Sequence, residues 1–139
     1  MNTQRSQCPI NLTVELLGDV WSLLIIRDLM FTDRRHFRDL LRMDEKISSS
    51  VLATRLDRLV AAGLLMRTDD PTHSQKVVYT LTESGIDLLP VIAQLAIWGR
   101  RHQPASEDLS VQAAALDEGG DAAIAALRAD LRREHLLRG

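Results

Sequence analysis

The stretch ISSSVLATRLDRLVAAGLL, Ile47 to Leu65, decides how the rest of the chain is read. Leu52, Leu56, Leu59 and Val60 recur at helical spacing and fall within roughly a third of a helix circumference. Ser50, Thr54, Asp57 and Arg58 face the other way, with Arg55 on the flank. Ser48 is placed to cap the helix N-terminus, and Gly63 to end it in a left-handed turn. The outer face thus carries small hydroxyls and arginines, which suits entry into a DNA groove. Small residues permit close approach, hydroxyls bond phosphates or base edges, and Arg reaches guanine or phosphate. An ordinary surface helix shares this amphipathic pattern, so the flanking segments must decide.

Upstream, Arg34 to Arg42 predicts a shorter helix with Phe37, Leu40 and Leu41 inward, and MDEK makes a brief connection to Ile47. Two short helices so joined, the second polar outside, form a helix-turn-helix. Earlier still, VWSLLIIRDLMF (Val20 to Phe31) is apolar nearly all round and predicts the most buried helix. Trp21, Leu24, Ile25, Leu29 and Met30 are its core candidates, while Arg27 and Asp28 serve tertiary packing. Cys8-Pro9 leads into Leu12, Leu16 and Leu17, a short helix that breaks near Gly18.

Downstream, the period changes from helical to alternating. Leu64, Met66 and Thr68 run extended, as do Val77, Tyr79 and Leu81, with the turn-forming DDPTHSQK between them. A hairpin directly after the recognition helix is a wing. Thr82 is placed to cap a further helix whose apolar residues Ile86, Leu89, Ile92, Leu95 and Trp98 run to a stop at Trp98-Gly99, with a bend at Pro90. Beyond Pro104 lie two Ala-rich helical segments joined by Gly119-Gly120, with Ile124, Leu127 and Leu131 as a thin apolar stripe. Isolated helices of this kind are marginal in water, so the tail is expected to pack on the core or, preferentially, on a second subunit. Ending the chain near Pro104 would then weaken a dimer and leave the fold in place.

The bulk properties agree with a globular chain: 139 residues, 45% hydrophobic and 26% charged. No apolar run approaches a membrane span and no leader is evident, which predicts a cytoplasmic protein with no membrane association. The formal charge of −2 does not by itself suggest a nucleic-acid binder. Its distribution does: Arg34 to Lys76 holds nine Lys/Arg against six Asp/Glu, and Ala105 to Gly139 four against seven.

No enzyme signature is present. His36, His73, His102 and His135 are scattered, one cysteine allows no C-x-x-C, and no glycine cluster cradles a phosphate. The chain is therefore read as a non-enzyme with no catalytic residue, metal or cofactor. Arg34, Arg35, Arg38 and Arg42 form a basic run where the first helix of such a motif crosses the DNA backbone, with Arg38 as the chosen phosphate contact. Arg67 and Lys76 flank the wing tip, placed to reach a minor groove or phosphates, and His73 is placed to help the wing meet phosphate. The acidic pair Asp69-Asp70 argues against deep insertion of the wing. Lone Cys8 is either a small hydrophobe or, with no partner thiol in the chain, a residue that responds to oxidants.

Taken together the chain resembles the HxlR-type winged-helix transcriptional regulators. The resemblance rests on Cys8-Pro9, on Trp21 followed by LLIIRDL, and on Phe37-x-x-Leu40. It continues with Ile47-Ser48, Leu52-x-x-Arg55-Leu56-x-x-Leu59-x-x-x-Gly63-Leu64, Tyr79-x-Leu81-Thr82-x-x-Gly85, and Trp98-Gly99. These motifs cover about residues 8 to 100 in order. The resemblance implies a homodimer on pseudo-palindromic double-stranded operator DNA, with the helix from Ser49 to Ala62 in the major groove. It also implies a cysteine that, in some relatives, answers oxidants or electrophiles. This chain departs by having Asp44-Glu45-Lys46 where the family often has a Pro-Gly turn, and by its acidic wing.

The expectation is a mainly α winged helix-turn-helix with a two-stranded β-hairpin wing and a C-terminal helical extension. Residues 1–104 would bind DNA and dimerise, and 105–139 would form the extension. Thr54 and Arg58 are the base-edge candidates; Ser49, Ser50 and Arg55 would position the helix on phosphates, and Cys8 would sense redox state. Two rival readings stand beside a repressor. One is a protein–protein module on the same fold; the other is a ligand-gated regulator with a small-molecule effector between Trp98, Trp21 and the dimer helices.

Overall fold

A leucine-lined junction of helices carries a short hairpin on one flank and a long C-terminal helix across its back. The structure is a computed structural model that describes residues 4–73 and 76–136. The helices are α1 (Pro9–Leu17), α2 (Ser22–Phe31), α3 (Phe37–Leu40) and α4 (Ser49–Ala61). Strands β1 (Leu65–Asp69) and β2 (Val77–Leu81) follow, then α5 (Glu83–Ile86), α6 (Leu89–His102) and α7 (Val111–His135). The strands pair antiparallel with Arg67 opposite Tyr79 and Leu65 opposite Leu81. This is the winged helix-turn-helix expected.

The core gathers Ile25, Ile26 and Leu29 of α2, Leu40 of α3, and Leu52, Leu56 and Leu59 of α4, all fully buried, with Leu81, Ile86, Leu89 and Leu131. Trp21 and Leu24, expected in the core, are half-buried and pack against it, and Ile26, which was not named, is fully buried. Asp28 is 3% exposed, and its carboxylate accepts from Arg27 and Arg34 at 2.9 Å each. Arg27 also pairs with Glu45 in the turn of the motif at 2.7 Å, so the charges inside LLIIRDL fasten that turn to α2.

Three boundaries differ from expectation. The third helix spans only Phe37–Leu40 rather than Arg34 to Arg42, because the extended residue His36 starts it, its N–H donating to the Asp39 carboxylate. The helix after Thr82 is two helices, α5 and α6. Pro90 sits in the first turn of α6, where its missing N–H costs nothing, so it starts a helix instead of bending one. Helix α6 also continues through Trp98-Gly99 to His102. Of the apolar residues named on this helix, Leu95 and Trp98 are 51% and 57% exposed.

The tail is one helix interrupted at Gly120, whose φ of 62° and ψ of −148° no ordinary residue adopts readily. It lies along α6 and α5. Arg101 donates to Asp117 at 2.8 Å, and Arg128 and Arg132 pair with Asp87 and Glu83. Leu131, 1% exposed, enters the same core as α2 and α4. Lys46 has a φ of 62° in the turn before α4, the left-handed conformation for which glycine is the usual choice.

Candidate nucleic-acid interface

The recognition helix is built as its sequence dictates. The Ser48 hydroxyl accepts from the Val51 N–H at 3.3 Å and caps α4. Leu52, Leu56 and Leu59 are wholly buried and fix which face turns outward. Ser49, Ser50, Ala53, Thr54, Asp57 and Arg58 are exposed. The Thr54 hydroxyl donates to the Ser50 carbonyl at 2.9 Å, so it presents a methyl group and oxygen lone pairs outward. Gly63, with φ 79°, turns the chain from α4 into β1.

The two arginines of α4 have different surroundings. Arg55 is half-buried and its Nε donates to Asp19 at 2.9 Å, a contact the sequence reading had not foreseen. Asp19 also accepts from the Trp21 and Ser22 N–H groups at 2.9 and 3.0 Å and from the Ser22 hydroxyl. Burial pushes its carboxyl up, but the Ser22, Trp21 and Arg55 donors outweigh that and hold it down at about 2. Asp19 therefore caps α2 and ties α4 to the α1–α2 corner. Arg58 stays exposed while one of its N–H groups donates to the Glu15 carbonyl. Arg55 is placed to orient α4; Arg58 is placed on the outward face.

The basic run divides in the same way. Arg34 is committed to Asp28, and Arg35 is 7% exposed with its guanidinium donating to the carbonyls of Thr32 and Arg34 at 2.8 Å. Arg38 and Arg42 remain exposed, as Arg38 was expected to be.

On the wing, Arg67, His73 and Lys76 are exposed. Asp70 is drawn inward: it accepts from the Thr72 N–H and hydroxyl at 2.8 and 2.7 Å and meets the His36 Nε2 at 2.8 Å. These Thr72 bonds, then the His36 contact, lower its carboxyl well below the usual range. The other ring nitrogen of His36 faces Asp39 at 3.2 Å. His36 thus bridges α3 and the wing base. Sequence reading missed this bridge because its two ends lie 34 residues apart and neither carries a local pattern.

Cys8 is exposed at the residue before α1, and its N–H donates to the Ser6 hydroxyl at 3.4 Å. A groove of about 940 Å³ runs between the wing and the end of α7, lined by residues that include Arg35, Met66, Asp70, Val78, Glu134 and Leu136. It is remote from the site considered between Trp21 and Trp98; Trp98 instead lies against His102, with ring centroids 4.9 Å apart. Among the described residues no group of His, Cys, Asp or Glu is arranged to hold a metal ion. No single described helix is long and apolar enough to cross a membrane.

Residues 16–107 match the model of a protein family described as HxlR-like helix-turn-helix. The chain is 34% identical over 95 residues to the HTH-type transcriptional regulator BH0655 of Halalkalibacterium halodurans, covering 68% of this chain and 84% of that one. It is 38% identical over 94 residues to the HTH-type transcriptional regulator Rv3095 of Mycobacterium tuberculosis, covering 68% of this chain but spanning only 58% of the relative's length. Among solved structures it resembles the reduced form of the transcriptional regulator YodB from B. subtilis, with a TM-score of 0.58 and 33% identity over 73% of this chain and all of that one. A quinone-bound form of YodB is a further match, at TM-score 0.55 and 34% identity over 68% of this chain and 99% of that one.

Proposed function

Because the chain belongs to the HxlR-like helix-turn-helix family, whose relatives are transcriptional regulators and not enzymes, we propose that it represses transcription by binding pseudo-palindromic operator DNA as a homodimer. The observation that carries this reading is the outward face of α4. Ser49, Ser50, Thr54 and Arg58 stand exposed on a helix held rigidly from behind by three buried leucines. Thr54 and Arg58 address base edges, and Ser49 and Ser50 address phosphates. Arg38, Arg67, His73 and Lys76 add phosphate contacts to either side. Residues 1–104 carry DNA binding and dimerisation and 105–139 extend them, at work in the cytoplasm.

Two unpartnered apolar faces support the dimer. Ile10 and Val14 are exposed on α1, and Val91, Leu95 and Trp98 on α6, each set at helical spacing. Selection of bound genomic fragments with the purified chain tests the whole reading. It should recover a palindrome with half-sites about 34–36 Å apart, one helical turn; random fragments would sink it. Arg58→Ala should cost about 1–3 kcal/mol on that site and relax its sequence preference. Unchanged binding at roughly 50–200 mM salt, where phosphate-dominated binding falls steeply, would remove Arg58 from the interface.

Cys8 lies outside the family match, yet the similarity to a regulator solved in reduced and quinone-bound forms supports a redox role for it. Its thiol is exposed, and it sits beside the α1 face assigned to the dimer. Peroxide or quinone treatment should weaken operator binding by the parent and leave Cys8→Ser unaffected. Full affinity after mass spectrometry confirms complete modification of Cys8 would refute it.

A further inference from the structure

We infer that His135, in the tail beyond the family match, is a positioning residue for the wing. A two-stranded hairpin is marginally stable by itself and needs packing to hold one orientation. Strand β2 turns the N–H groups of Tyr79 and Leu81 to the edge away from β1. Tyr79 donates to the Arg35 carbonyl at 2.8 Å, so the loop between α2 and α3 answers the first. The second has no strand to meet it. The Leu81 N–H donates instead to Nδ1 of His135 at 3.0 Å, from 54 residues away.

The ring is a two-ended connector. With Nδ1 accepting, the proton lies on Nε2, which faces the carbonyl of Leu29 at 3.0 Å. Leu81 and Leu29 are wholly buried and His135 is 5% exposed, so no water stands in for either bond without opening the core. One turn earlier, Leu131 is buried beside them, and Glu134 meets Arg35 at 3.6 Å, on the same loop that holds Tyr79. The end of α7 thus fastens the outer edge of β2 to α2, the helix whose leucines and isoleucines back α4. The angle between wing and recognition helix is set through an imidazole that the winged-helix motif itself does not contain. On DNA, that angle decides whether Arg67 and Lys76 meet phosphates while α4 lies in its groove. This role rests on the operator-binding reading above.

The test uses the full chain with His135→Ala and His135→Gln, the glutamine amide being able to accept from Leu81 and donate to Leu29. In the absence of DNA, amide exchange at Leu81 should accelerate at least about tenfold in the alanine variant. Affinity for the selected operator should fall about tenfold, and the salt dependence should lose about one unit of slope for each wing phosphate released. The glutamine variant should recover both. Faster exchange with parental affinity and slope would make His135 a purely stabilising residue and overturn the proposal, as would unchanged exchange. Should the alanine variant fail to fold, a scalar coupling between the Leu81 amide nitrogen and His135 Nδ1 in the labelled parent, free and DNA-bound, decides instead. Its presence in both states supports the proposal, and its absence from either overturns it. If the parent selects no DNA, the operator reading falls and the positioning role with it; exchange at Leu81 still reports whether the ring holds the wing.

Discussion

Ending the chain at Pro104 should lower the midpoint of urea unfolding sharply, at every protein concentration. The truncation removes Leu131 from the core shared by α2 and α4. Losing one fully buried leucine costs about 2–5 kcal/mol. It also removes the His135 bonds to the Leu29 carbonyl and the Leu81 N–H, each worth about 0.5–1.5 kcal/mol once water can reach the exposed groups. The exposed pairs of Arg128 and Arg132 with Asp87 and Glu83 add little, about 0–1 kcal/mol each. A loss near 4 kcal/mol is a large part of the roughly 5–15 kcal/mol that holds a typical domain folded. At an m-value of about 1–3 kcal/mol per molar urea, the midpoint moves by more than about 1 M. The composition of the tail pointed to a different outcome, a weakened dimer on an intact fold. A concentration series separates them: a core loss shifts the midpoint equally at all concentrations, whereas a dimer loss vanishes on dilution. A truncated chain that unfolds with its parent would show that α7 contributes nothing to the core.

Acid should weaken the chain through Asp19, and Asp19→Ala should remove that weakness together with the stability behind it. The folded carboxyl is held at about 2, below its ordinary value of 3.8. A carboxyl depressed by folding stabilises the folded state when ionised. Its contribution is complete above the unfolded value, near pH 4, and drains away as pH falls towards 2. By linkage the contribution is on the order of 2 kcal/mol at neutral pH. Asp19→Ala should therefore cost about that much at pH 7 and much less at pH 2. Combining it with Arg55→Ala tests the tie to α4. If the carboxylate and guanidinium act as a pair, the double variant loses less than the two single losses added. Strict additivity would mean that Asp19 does not orient α4 through Arg55, and a parental pH slope in Asp19→Ala would mean that it does not drive the acid response.

The fold was legible because its signals are local. The apolar stripe of α4, its serine cap, the change to alternation after Gly63 and the turn-rich DDPTHSQK each lie within a few residues, and each names its element. Boundaries were less legible. Pro90 carries the same covalent constraint whether it bends a helix or begins one, and only the break at Asp87-Leu88 decides. Among the candidate contacts on α4, the exposure of Ser50, Thr54 and Arg58 followed from periodicity. The fate of the arginines did not follow, because a guanidinium on a flank goes to whichever carboxylate the tertiary structure brings near. Arg55 met Asp19, Arg34 met Asp28, and nothing in spacing announced either partner. His36 and His135 read only as scattered histidines for the same reason.

The bond between His135 and Leu29 joins residues 106 apart. That separation is a statement about time as well as place. Helices α1 to α6 and the hairpin are joined by short connections, and their contacts can form as each piece of chain becomes available. The socket for the imidazole cannot close then, since it waits for α7 to return across the back of the domain and pay the entropy of a long loop. Until it does, the Leu81 edge of β2 is open and the cleft that receives Leu131 is unfilled. A newly made chain in which α7 has not yet docked would expose a strand edge beside an apolar cleft, the kind of surface on which chains aggregate. Variants in the last turns of α7 should therefore give a poor yield of soluble protein, in addition to any effect on the folded molecule.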